Sequence, residues 1–144
     1  MKRHAIVYAV LLLLILAARL AGASTFVDNG DGTISDQGTN LMWQKQDDGT
    51  IRNWADAITY CEGLILAGRT DWRLPTIKEL KSITDMTKYN PSINTTYFPG
   101  TKSDTYWTST TFAGSTANVW LVHFLSGYTP TNAKTGTHYV RCVR

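Results

Sequence analysis

The chain has 144 residues, 43% hydrophobic and 17% charged, with a formal net charge of +3. That length makes a single domain once a leader is set aside. Lys2, Arg3 and Arg19 belong to that leader, so the remainder carries 11 Lys and Arg against 11 Asp and Glu, which excludes the globally basic surface that nucleic acid requires.

The leader is read from three signals in order. Lys2, Arg3 and His4 are basic, the run from Ala5 to Ala18 is apolar and uncharged, and Ala21-Gly22-Ala23 is a small-x-small cleavage pattern. As a helix the apolar run rises about 21 Å, short of the ~30 Å hydrocarbon core. Residues 1–23 are therefore expected to be a cleaved secretory signal, and 24–144 one exported domain, periplasmic or extracellular. No cysteine follows Leu20-Ala21-Gly22, so lipid attachment is not expected. Contact with a membrane is expected only through the leader, if it is retained.

Export bears on Cys61 and Cys142, the two cysteines of the chain. Reduced, each would be a nucleophile or a metal ligand. An oxidising compartment makes a bridge between them the expectation.

Thr25-Phe26-Val27 and Thr33-Ile34-Ser35 flank Asp28-Asn29-Gly30-Asp31-Gly32, the signature of a β-hairpin. The turn fails the register of a calcium loop, because aligning Gly32 with the invariant glycine leaves Val27 and Gly38 at ligand positions. A turn at Gln37 to Asn40 leads into a strand at Leu41-Met42-Trp43. Trp54, Ala57, Ile58, Cys61 and Leu64 or Ile65 then recur at helical spacing, with Asn53 as N-cap and Gly68 as exit. Thr76-Ile77-Lys78-Glu79 is a capping box that opens a second helix. A long Asn-, Pro-, Thr- and Tyr-rich stretch follows, about 87–104. Tyr106 to Thr110 and Asn118 to Phe124 read as strands, 126–137 as a polar loop and Tyr139 to Val143 as the last strand. The order is that of an α+β domain.

Catalytic signatures are absent from the sequence. There is no G-x-S-x-G motif, phosphate-binding glycine loop or spaced His/Cys metal set. His123 alternates with apolar residues and is expected to be packed; His138, beside a polar loop, is expected to be exposed. Trp43, Trp54, Trp107 and Trp120 lie inside regular elements and read as core. Tyr89, Tyr97 and Tyr128 lie in loops and are contact candidates. Lys78, Lys81, Lys88 and Lys102 fall close together in the chain and offer a local basic patch.

Several segments recur together in one family. They are Phe26 to Thr33, Leu41-Met42-Trp43-Gln44, Trp54-Ala55-Asp56-Ala57, Asp71 to Leu80, Tyr106 to Thr110 and Tyr139-Val140-Arg141-Cys142-Val143. The chain resembles the Lcl C-terminal-domain family, named after a bacterial collagen-like adhesin. The resemblance implies a C-type-lectin-like fold with a mixed or antiparallel sheet, two helices and a long loop region. It implies a bridge from the first helix to the last strand, and bacterial origin, which discounts the sequon at Asn94-Thr95-Thr96. Members are mostly exported, and the adhesin's domain binds sulfated glycosaminoglycans. The collagen-like repeat and the Glu-Pro-Asn, Gln-Pro-Asp and Trp-Asn-Asp triplets are missing here, so calcium-dependent sugar binding is not carried over.

The resulting expectation is an exported, non-catalytic binding module with no cofactor and no metal. Its contact surface would be the loops 87–104 and 126–137, using Lys78, Lys81, Lys88, Tyr89, Tyr97, Lys102 and Tyr128. Its partner would be a sulfated polysaccharide or a cell-envelope protein. Two alternatives stand beside it: an enzyme related to the formylglycine-generating oxidases, which needs reactive cysteines, and a structural subunit of an envelope assembly.

Overall fold

The computed structural model describes residues 25–144, and the leader read at 1–23 lies outside them. Strands β1 (Phe26–Asp28), β2 (Thr33–Asp36) and β3 (Leu41–Gln44) form one antiparallel sheet in that order. The β1–β2 turn consumes its own carboxylates. Asp28 Oδ1 accepts from the Gly30 amide at 3.0 Å and Asp31 Oδ1 from the Thr33 amide at 3.1 Å. Gly30 and Gly32 hold φ of 75° and 88°, which side chains with a Cβ resist.

Helix α1 (Trp54–Glu62) begins where Asn53 Oδ1 accepts the Asp56 amide at 2.9 Å. Ala57 and Cys61 are its buried residues. It ends at Gly63, short of the Gly68 exit expected from periodicity, and Ile65 beyond it is 74% exposed. Gly68 serves a different purpose. Leu66 and Arg69 exchange backbone hydrogen bonds across Ala67 and Gly68, both at positive φ, the geometry of a primed two-residue turn.

Helix α2 (Ile77–Ser82) carries the expected capping box. Thr76 Oγ1 accepts from the Glu79 amide, and the Glu79 carboxylate accepts from the Thr76 amide at 2.8 Å. Leu80 is buried beneath it.

Strands β4 (Thr105–Thr111), β5 (Asn118–His123) and β6 (Thr131–Ala133) make a second antiparallel sheet. β6 lies inside the stretch expected to be loop. Its sequence, Thr-Asn-Ala, has no apolar alternation, and pairing with β5 alone makes it a strand. The expected last strand is not a continuous ladder. Tyr139 bridges to Tyr106 in β4, whereas Val143 bridges to Trp43 in β3 and to Arg73. Residues 139–144 thus leave the second sheet and complete the edge of the first, where Met42 and Arg144 exchange hydrogen bonds at 2.9 Å.

The second sheet divides two hydrophobic clusters, because successive strand residues face opposite sides. Tyr106 and Val122 join Ile34, Trp43, Leu80 and Phe98 in one cluster. Trp107, Val119 and Leu121 join Ala57, Cys61 and Trp72 in the other. The Cys61–Cys142 disulfide lies in this second cluster, with its Cα atoms 5.5 Å apart. Two helices and two antiparallel sheets make the domain α+β. Among the described residues no helix is long and apolar enough to cross a membrane.

A buried charged hub ties the layers together. Arg141 is wholly buried, and its Nη1 donates to the carbonyls of Gln44 and Lys45. Its Nη2 donates to Asp47 Oδ2 at 3.0 Å and to Thr101 Oγ1 at 2.8 Å. The Tyr106 hydroxyl donates to the same Asp47 oxygen at 2.7 Å and accepts the Lys102 amide. Burial pushes the Tyr106 phenol up and pulls the Arg141 guanidinium down, the latter opposed by Asp47.

Candidate functional site

Two neighbouring turns and one helix build an aromatic and basic face. Backbone hydrogen bonds from Asn90 to Leu125 (2.9 Å) and from Ser92 to Phe124 (2.6 Å) bind the segment 85–92 to the segment 123–128. The second segment is closed by Gly127 N donating to the His123 carbonyl at 2.8 Å and by His123 N donating to Tyr128 O at 2.9 Å. Gly127 sits at φ 76°, which favours glycine, and a Cβ there would fall 2.8 Å from Met86 Sδ, whose exposed side chain would have to shift.

The side chains follow from that frame. Tyr128 stacks on the His123 ring at 4.8 Å, and His123 Nδ1 accepts the Leu125 amide, which fixes the platform. Met86, Tyr89 and Tyr128 are 67%, 70% and 52% exposed, among the most exposed large apolar groups of the domain. Lys78 and Lys81 are three residues apart on α2 and so share a face. The Lys81 ammonium donates to the Gly127 carbonyl and lies 3.8 Å from Met86 Sδ. Lys88 is exposed, and its charge helps Thr87 hold the Asp85 carboxyl below its usual range, with the Thr87 hydrogen bonds the larger cause. Among the described residues none of these three lysines is in an ion pair, whereas Lys45, Arg52, Arg73, Arg141 and Arg144 all are.

Lys78 and Lys81 on α2 and Lys88 and Tyr89 in the segment 85–92 are near in sequence, and the pairing of 85–92 with 123–128 brings Tyr128 to them, with Lys81 bound to Gly127. Tyr97 and Lys102 have other surroundings. Tyr97 is partly buried against the first cluster, 5.7 Å from the Phe26 ring. Lys102 lies beside Gly49, and its amide is bound to Tyr106. The later part of the stretch 87–104 buries Ile93 and Phe98, so it is core as much as loop. Met86 and the His123 platform were not visible in the sequence. There 126–137 read only as a polar loop and His123 only as a packed residue.

His138 is half-buried and not exposed as its polar neighbours suggested. It packs edge-on against Trp107 at 4.5 Å, and burial lowers its pKa against the opposing pull of Asp104. Thr105 Oγ1 lies 2.6 Å from Nδ1 and 3.2 Å from Asp104 Oδ1, while Asn132 Nδ2 lies 3.0 Å from Nε2. Asn132 Oδ1 already accepts the Ala133 amide, so Nδ2 faces the ring and Nε2 is the acceptor. Nδ1–H then donates to Thr105, which donates to Asp104. In this arrangement His138 does not take a proton from Thr105, and the trio is not a nucleophile with its base. Among the described residues no group of three His, Cys, Asp or Glu side chains could hold a metal, and no cysteine is free.

Two antiparallel sheets flanked by two helices, closed by a disulfide and a buried arginine, define a small α+β domain. The model of the Lcl C-terminal domain family matches residues 32–144, and the chain belongs to that family, which is not a known enzyme family. A comparison with curated proteins finds no match.

Proposed function

We propose that the protein is an exported, non-catalytic binding module whose contact face is built by α2 and the segments 85–92 and 123–128. The observation that carries this reading is the presence there of three lysines in no ion pair among the described residues and two exposed tyrosines. Such a face suits a sulfated polysaccharide: ammonium groups meet sulfates while tyrosine rings lie against the sugar's C–H faces. The apolar leader and the disulfide support export. The same disulfide commits both cysteines, which weighs against chemistry of the formylglycine-generating kind. Exposed Met86, against Gly127 and Lys81 on the same face, supports a second reading, an envelope protein as partner.

Heparin chromatography of the disulfide-bonded domain tests the proposal. The wild type is expected to be retained at physiological salt, and the combined Lys78→Gln, Lys81→Gln and Lys88→Gln variant to elute at clearly lower salt. Lys102→Gln should change little. Retention that survives the triple substitution would remove this face from consideration, and envelope-protein capture by the wild type would then test the second reading.

A further inference from the structure

A separate cleft lies at the start of α1, lined by Asn53, Trp54, Ala55, Lys134 and Thr135, with a volume of about 490 Å³. It shares no residue with the face described above. Its frame is rigid. The Trp54 amide donates to the Lys134 carbonyl at 3.1 Å, the Lys134 amide to Ala117 O at 2.9 Å, and the Trp54 indole N–H to Thr108 O at 2.9 Å. The indole therefore cannot turn away, although it is partly exposed. Expected from sequence to be core, Trp54 only packs against the second cluster from its edge.

The cleft combines two chemistries. Its lining is mainly apolar, and the Lys134 ammonium sits 4.3 Å from the Trp54 ring centroid. Among the described residues that ammonium has no hydrogen-bond acceptor and no carboxylate partner, and it rests on the ring. The nearest acid on this helix turn, Asp56, is held by Asn53 Nδ2 at 2.7 Å.

From this geometry we infer that the Trp54–Lys134 cleft is a subsite for an acidic sugar unit, a hexuronate. The pyranose C–H face lies on the indole, and the carboxylate draws the Lys134 ammonium off the ring into an ion pair. A neutral hexose would have to leave the ammonium on the ring and compete with it for the same surface. A small anion would gain the ion pair and nothing from the indole.

Nitrogen-edited NMR on the full disulfide-bonded domain reads this directly through the Trp54 indole N–H signal, assigned with Trp54→Tyr. Titration with glucuronate should move that signal to saturation in the millimolar range. Lys134→Met, which keeps the apolar stem, should weaken binding at least about tenfold, while the triple lysine variant of the other face leaves it unchanged. Glucose and acetate at matched concentration should each bind more weakly than glucuronate. Absence of a saturating shift with glucuronate would overturn the subsite. Equal binding of glucose would overturn the role of Lys134, and equal binding of acetate would overturn the sugar. Thermal unfolding of each variant separates loss of binding from loss of fold.

Discussion

Arg141 carries a charge at a site with no exposure, so the surrounding acceptors must replace water. Two carbonyls, Asp47 and Thr101 do so for the two terminal nitrogens, Nε is buried without a partner, and the Phe98 ring centroid lies 5.3 Å from the guanidinium carbon. Removing one member of such a pair strands the other. Arg141→Met fills similar space but leaves the Asp47 carboxylate buried without its cation, and it should cost about 3–5 kcal/mol in urea unfolding. A loss within experimental error would show that the hub is dispensable. The Tyr-Val-Arg-Cys-Val segment marked this residue in the sequence as a family feature. Its partners could not be read there, since Asp47 and Thr101 are distant in the chain and only the fold brings them together.

At the scale of elements, α2 is short and depends on its N-terminus. Glu79 caps the Thr76 amide and forms a two-pronged ion pair with Arg73, at 2.8 and 2.7 Å. The Arg73 bonds, chiefly, hold its carboxyl down at about 2 from an ordinary 4.5. A depressed carboxylate stabilises the fold fully above its unfolded value and loses that contribution as pH falls. The loss should therefore run from pH 4.5 down through about 2. Arg73 is half-exposed, so solvent screening leaves about 1 kcal/mol of the effect. Glu79→Gln keeps the box geometry and should flatten stability against pH in that window; an unchanged pH profile would contradict the assignment. This capping box was legible because its partners are three residues apart. The hairpin at Asp28 to Gly32 and the Asn53 cap were legible for the same reason. β6 was not, since three polar residues take strand form only through β5. Nor were the changing partners of Tyr139 to Val143, because alternation marks a strand without naming its neighbours. The contact face divides the same way: the lysines near α2 stayed together, and Tyr97 was claimed by Phe26, far back in the sequence.

For the whole molecule the disulfide and the divided core act together. Cys61 and Cys142 are separated by 81 positions. Closing so large a loop restricts the unfolded chain, and its loss should cost about 2–4.5 kcal/mol. The paired Cys61→Ala and Cys142→Ala variant, unfolded in urea beside the wild type, measures this. A shift near zero would mean that packing of the second cluster suffices alone. The same residues that close the covalent loop also cross between the sheets. Residues 139–144 supply an edge to β3, the arginine of the hub and one half of the bridge. Every other described element is made before them. The two sheets therefore share one segment, and neither has its full set of partners without it. Removing residues 139–144 would take the edge partner of β3, the cation of the hub and one half of the bridge in a single cut.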